Sequence, residues 1–250
     1  MLKDIQIVIL AGGMAKRMGI KKPKALIKID KNTLLDRTIK QLLKYGAKNF
    51  IILYGKHKEI VKHVSRKYKR FDIKFYPDPP FKPGIAPGKG LALRHALKDG
   101  AVERKRSIFV FPDDVILDDK YPEILLKAHL IGIKRFNTAI TVLFTKGQKY
   151  PFGAAKIRNN GIVQGFEEKP IIRIPTNTGI FIAEPEFFDA IEKYIPLNSK
   201  IPVEWEKTVF PFLAKKKKIY SCFLPVEMWI PVNTVKELEE VRSRLAQMSK

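Results

Sequence analysis

The chain has 250 residues, 45% of them hydrophobic and 10% aromatic, which is enough to build the core of one α/β domain. Its 48 Lys and Arg against 25 Asp and Glu give a formal net charge of +23, so its partners are expected to be anionic, either nucleic acid or small phosphorylated molecules. The single cysteine, Cys222, excludes an internal disulfide; no Cys/His set has metal-ligand spacing, and no segment is apolar for long enough to span a membrane.

Residues 5–11 (IQIVILA) form a short β-branched run stopped by Gly12-Gly13, which predicts a buried parallel strand. Thr33 can cap a helix over 34–45, with Leu35, Ile39, Leu42 and Leu43 on one face and Gly46 as its stop. Strands follow at 50–54 and 73–76, separated by a helix around Ile60, Val61 and Val64. After a Pro/Gly-rich stretch, 91–97 reads as helix and 107–111 as a strand ending at Pro112-Asp113-Asp114. A helix at 122–132 and a strand at 138–144 complete this alternation.

The remainder changes character. Asn159-Asn160-Gly161 between two alternating runs predicts a hairpin over 156–166. A strand at 177–183, helices at 185–194 and 204–213, a strand at 219–224 and a helix from about Thr234 follow. The fold class expected is α/β, a doubly wound and mainly parallel sheet with a small β-rich insertion. One domain over 1–250 is expected, with halves at 1–145 and 146–250. A soluble, cytoplasmic location is the expectation, because no cleavable signal pattern opens the chain. The basic residues are dispersed, which disfavours a nucleic-acid role; the 215–218 lysine run fits a solvated turn.

In such sheets ligands bind beyond the carboxyl ends of the strands. That rule selects the loop at 12–24 and the turn at Asp113-Asp114. Leu10-Ala11-Gly12-Gly13 leads into Lys16, Arg17, Lys21, Lys22 and Lys24. Adjacent glycines let successive N–H groups approach an anion, and the cations add to that field. A plain turn with a solvated basic face is the competing reading. No GxxxxGK[ST] sequence occurs, and Gly88-Lys89-Gly90 only begins a dinucleotide fingerprint, with Leu93 where the third glycine belongs. The four histidines lack a Ser or Cys partner pattern and read as structural, while Trp205, Phe210 and Phe212 read as core. Asp118 and Asp119 read as caps of the following segment.

Leu10 to Arg17 followed by Pro23-Lys24 resembles the sugar-phosphate nucleotidyltransferase signature, L-A-G-G-x-G-[TS]-R and then P-K. The chain departs from it at Ala15 and Lys16. Gly88 to Leu93 is similar to the G-T-A-G-A-L segment that faces the nucleobase. Pro112 to Asp118 resembles N-G-D-V-I-L-D, with Asp113 an extra acid where glycine is usual. Phe166-Glu167-Glu168-Lys169-Pro170 resembles F-x-E-K-P, and Tyr150 to Gly153 and Asn177-Thr178-Gly179-Ile180 resemble two sugar-contacting stretches.

The resemblance implies an enzyme that joins a nucleoside triphosphate to a sugar 1-phosphate. Nucleotide binding falls to Leu10, Ala11, Gly12, Gly13, Lys16, Gly88 and Gly90. Arg17, Lys24 and Asp114 are implied as catalytic, and Gly153, Glu168, Lys169 and Asn177 as sugar-phosphate binding. The implied cofactor is Mg2+, held by Asp114. In many relatives a second aspartate stands where this chain has Pro231; another branch of the family, the acetylglucosamine-phosphate uridylyltransferases, reads G-V-N there and uses the asparagine, and Val232-Asn233 resembles that version, which implies Asn233 as the second ligand, with Glu227 as fallback. The competing reading has Asn233 capping the last helix. Runner-up functions are cytidylyl or guanylyl transfer to a polyol or inositol phosphate or to a molybdenum cofactor, or a non-catalytic basic regulatory or nucleic-acid-binding role. A homo-oligomer is compatible with all of these.

Overall fold

The computed structural model describes residues 1–248; the side chain of Lys16, one of the expected nucleotide contacts, lies outside that description. The chain runs β1 (Gln6–Leu10), α1 (Leu34–Lys44), β2 (Asn49–Leu53), α2 (Lys58–Lys67), β3 (Ile73–Tyr76), α3 (Lys89–Lys98), β4 (Ser107–Val110), β5 (Asp114–Ile116), α4 (Tyr121–Phe136) and β6 (Ile140–Thr145). It continues through β7 (Gln148–Lys149), β8 (Gly153–Ile157), β9 (Val163–Glu168), β10 (Ile171–Ile172), β11 (Thr176–Ala183), α5 (Pro185–Tyr194), α6 (Trp205–Lys215), β12 (Ile219–Leu224), β13 (Trp229–Pro231) and α7 (Val235–Met248).

Seven strands make one sheet in the order β12-β6-β11-β4-β1-β2-β3. Neighbours are parallel except around β11, which runs antiparallel to both β4 and β6. The mainly parallel, doubly wound expectation holds. Ile7 and Ile9 enter one layer with Leu35 and Ile39 of α1 and Ile60 of α2. Val8 enters the opposite layer with Leu91 of α3, Phe187 of α5 and Trp205 of α6. A strand covered on both faces needs no polar alternation, and each such side chain contributes roughly 1.5–3 kcal/mol by leaving water.

Local signals set the helix ends. Thr33 and Asp36 form a reciprocal capping box at the start of α1, and Asn137, in the left-handed region at φ 51°, ends α4. Asp119 is not a cap. It accepts from Arg37, Gln41 and Lys44, because the end of α1 brings three donors to it, and only Asp118 turns back to the Lys120 amide.

The hairpin is β8–β9, closed by Arg158 and Ile162 around Gly161. All six residues of β9 are exposed, because the pair stands off the main sheet.

A third, smaller core matters most for the site. Ala15 and Met18 of the glycine loop pack with Val115 and Leu117 around β5, Ile230 and Val232 around β13, and Leu238 and Val241 of α7. Ala15 is 2% exposed and is not among the positive-φ residues, so alanine fits where relatives use glycine. β13 pairs antiparallel with β5 and sets Pro231 opposite Asp114, and the Val232 amide donates to the Asp113 carbonyl.

Candidate active site

The glycine loop leaves β1 against the turn after β2. A Cβ on Gly12 would lie 3.1 Å from the Gly55 α-carbon, so the two backbones pass closely and a side chain there would push the Gly55 backbone by a few tenths of an ångström. The His57 imidazole sits 3.2 Å from the Gly12 carbonyl, and the Lys24 amide donates to the Gly13 carbonyl. Ala11 is buried, with its amide donating to Leu53. A cavity of about 450 Å³ opens beside this loop, with Leu10, Gly12, Gly13, Gly88 and Asp113 on its wall. Gly90 does not line it. Its amide donates to the Val203 carbonyl, and it packs α3 closely against that segment.

At the Asp113 end four side chains interlock. The Lys24 ammonium, 10% exposed, donates to Asp113 Oδ2 at 2.6 Å and to Asn233 Oδ1 at 3.1 Å. The Arg17 guanidinium donates to the same Asn233 oxygen at 2.9 Å. Asn233 is therefore not the cap of α7. Thr234 and Glu237 form that cap, with Glu237 accepting from the Asn233 and Thr234 amides and Thr234 Oγ1 accepting from Glu237. The Asn233 carboxamide is left to face the two cations.

Asp114 lies behind Asp113. Its Oδ1 accepts from the Trp229 indole at 3.1 Å, and a Cβ on Gly179 would come within 3.1 Å of its Oδ2. Burial and then the Asp113 charge push its carboxyl well above the ordinary carboxylate range; the Trp229 hydrogen bond, Lys24 and Lys89 oppose this. Two carboxylates and an amide oxygen beside cationic groups form a hard, all-oxygen donor set. Among the described residues no cluster of three His, Cys, Asp or Glu could cage a metal. The residues fit a magnesium ion that shares its coordination with substrate phosphates.

An irregularity in β11 between Asn177 and Phe181 brings the second half of the chain to this point. Asn177 Oδ1 accepts from the Gly179 amide, and Gly179, at φ 85°, passes against Asp114 and Phe111. Gly153 and Glu168 face each other across β8–β9, and Lys169, at φ 52°, follows with its ammonium 3.2 Å from Glu168. Glu168 and Lys169 stay exposed on this arm. Glu227 is exposed on the turn before β13 and lines a separate hollow with Lys149 and Glu240, apart from the Asp113 cluster.

The family model for nucleotidyl transferase matches residues 6–248, and so embraces the glycine loop, the paired aspartates and Asn233 alike. The chain belongs to the nucleotidyl transferase family.

Within that family the chain is 26% identical over 244 residues to a mannose-1-phosphate guanyltransferase of Pichia angusta, covering 92% of this chain and 61% of that one. It is 26% identical over 259 residues to a glucose-1-phosphate cytidylyltransferase of Salmonella typhimurium, covering 93% of each. The chain spans between half and about three-fifths of the length of the first curated relatives it matches. A crystal structure of HddC from Yersinia pseudotuberculosis complexed with GMP-PN shares the fold at TM-score 0.66 and 18% identity, over 96% of this chain and 99% of that one.

For this nucleotidyl transferase, sequence reasoning under-weighted three residues. Asp113 was visible only as an extra acid, yet it is the carboxylate that meets Lys24. Trp229 binds Asp114 through a pairing of β13 with β5 that no local pattern announces. Asp78 lines the cavity two residues beyond β3, where the strand-end rule could have found it.

Proposed function

We propose that this protein transfers a nucleoside monophosphate from a nucleoside triphosphate to a sugar 1-phosphate, releasing pyrophosphate and forming a nucleoside diphosphate sugar. The observation that carries this reading is the Arg17–Asn233–Lys24–Asp113 cluster at the mouth of a cavity lined by the glycine loop. The two named relatives act on different sugars with different bases, and a sugar 1-phosphate is what their names have in common.

In this reaction an acceptor phosphate oxygen forms a bond to the α-phosphorus as the bond from that phosphorus to pyrophosphate breaks. Positioning and charge neutralisation do most of the work. Arg17 and the loop amides stabilise the charge that gathers on the departing pyrophosphate. Lys24, held between Asp113 and Asn233, is set to contact the α-phosphate. Asp114 and Asn233 would hold the magnesium ion, which when bound neutralises phosphate charge. Lys169, next to the Glu168 that faces Gly153, receives the acceptor's phosphate from the exposed arm, with Asn177 near the sugar.

The test is a screen of purified protein with magnesium, the common triphosphates and a panel of sugar and polyol phosphates, read by pyrophosphate release and product mass. A nucleoside diphosphate sugar is the expected product. Absence of pyrophosphate release across the panel would overturn the reading, and a product only from polyol phosphates would move the acceptor class.

A further inference from the structure

The segment between β6 and β11 is one continuous ribbon. β7 pairs with β10 at its base, the Tyr150 amide donates to the Pro170 carbonyl, the Lys169 amide donates to the Phe152 carbonyl, and β8 pairs with β9 beyond them. At about 3.3 Å per residue, the stretch from Gly153 to the turn at Asn159 carries the ribbon roughly 20 Å past Glu168.

Its side chains are apolar yet uncovered. Phe152, Ile157, Ile162, Val163, Phe166 and Ile171 are between 51% and 71% exposed. Register sets Ala155 opposite Phe166 and Ile157 opposite Val163, so these four share one face, while Lys156, opposite Gly165, lies on the other. A contiguous exposed patch of this kind marks a surface that binds something. From Ala154 to Phe166 the ribbon has two cations, Lys156 and Arg158, and no acid. Arg158 donates to Gln164, and among the described residues neither cation meets a carboxylate.

We propose that this ribbon docks the protein on an anionic phospholipid surface. Ile157, Ile162, Val163 and Phe166 enter the headgroup region, and Lys156 and Arg158 meet lipid phosphates. Charge decides the occupant. A second copy would bring a net charge of +23 against +23, whereas an anionic membrane draws the same charge in. Nucleic acid offers the complementary charge but no place for isoleucine and valine, which lack a π-face to stack on bases. The outer edges of β8 and β9 are unpaired, so their amides and carbonyls need water or headgroups. The docking is therefore peripheral, and its depth is limited to the interface. It goes beyond the transfer reaction, and its test needs no turnover.

The experiment is co-sedimentation of the full chain with phosphatidylcholine vesicles, with and without about 30% phosphatidylserine. Three paired variants accompany the wild type. Ile157→Ser with Ile162→Ser removes apolar tips, and Lys156→Glu with Arg158→Glu reverses the ribbon's charge. Lys215→Glu with Lys217→Glu makes the same change in net charge at an exposed turn elsewhere. The wild type is expected to bind the anionic vesicles and not the neutral ones, and to weaken at least about 10-fold between about 50 and about 300 mM NaCl. Each ribbon variant should lose about 10-fold or more with an unchanged melting curve, and the Lys215 and Lys217 variant less than about 3-fold. Absence of binding to the anionic vesicles would overturn the proposal. Equal losses in both charge variants would assign binding to the overall charge and overturn it too. Loss in the charge variant alone would point to a general polyanion such as nucleic acid. A dimer in sizing experiments that the isoleucine variant dissolves, without vesicle binding, would give the patch to a second copy. Either of these last results would also remove the membrane assignment.

Discussion

The Asn233 carboxamide oxygen accepts from Arg17 and Lys24 at once, and this shared acceptor organises the cationic end of the site. Arg17 is exposed and enters no ion pair with a described carboxylate, so its charge is free to meet a phosphate. Arg17→Ala should lower kcat by about 10²- to 10³-fold, the range seen when one preorganised donor is lost. Steady-state kinetics would check it, and an unchanged kcat would make Arg17 structural. Asn233→Ser tests the proposed metal role against a packing role. Because Thr234 and Glu237 cap α7, the substitution should leave the melting temperature nearly unchanged while raising the magnesium needed for half-maximal rate by about 10-fold. A normal magnesium titration in that variant would remove Asn233 from the metal site.

Two elements hold strain or charge that the fold must support. In β11, Gly179 sits at φ 85° with Asp114 and Phe111 each 3.1 Å from the position of a Cβ. Gly179→Ala should cost about 1–2 kcal/mol from the left-handed backbone alone, and should also disturb Asp114. Urea unfolding and magnesium titration should therefore both shift; if neither moved, the contact would be unimportant. At the start of α1, Asp36 is 1% exposed and meets the Thr33 amide, His63, Lys67 and Tyr68. Burial alone would raise its pKa, but Lys67, the Thr33 amide and His63 together bring it well below the ordinary value. The sign follows from that depression. The stabilisation is complete above the unfolded carboxylate pKa of about 4 and is lost progressively as pH falls from there through the much lower folded value. Asp36→Asn should cost roughly 2–4 kcal/mol at pH 7, and the gap from wild type should be measurably smaller at about pH 3. Unfolding curves at the two pH values would show it, and a gap independent of pH would contradict the ion-pair account.

Across the whole molecule, the +23 charge acts at longer range than any one contact. It raises the local concentration of anionic substrates and weakens as salt shortens the screening length to about 8 Å at physiological strength. Raising NaCl from about 50 to about 500 mM should increase the KM for triphosphate several-fold with kcat changed less than about two-fold. A flat KM would confine the electrostatics to the site. No helix among the described residues is long and apolar enough to cross a membrane. The sequence by itself determined the alternation of strands and helices, because burial on both faces forces uninterrupted apolar runs such as Ile7-Val8-Ile9, and capping chemistry at Thr33 is local. It also placed Gly12, Gly13, Arg17 and Lys24 beyond one strand end and Asp114 beyond another, since neighbours in sequence share a loop. Only the tertiary structure decided which carboxylate meets Lys24 and that Asn233 faces cations while Thr234 caps the helix. It likewise decided that Asp78 and Asp113 stand at opposite ends of one cavity. Those outcomes depend on strand order and on the β5–β13 pairing, which join residues up to 216 positions apart, a separation that no local pattern of side chains encodes.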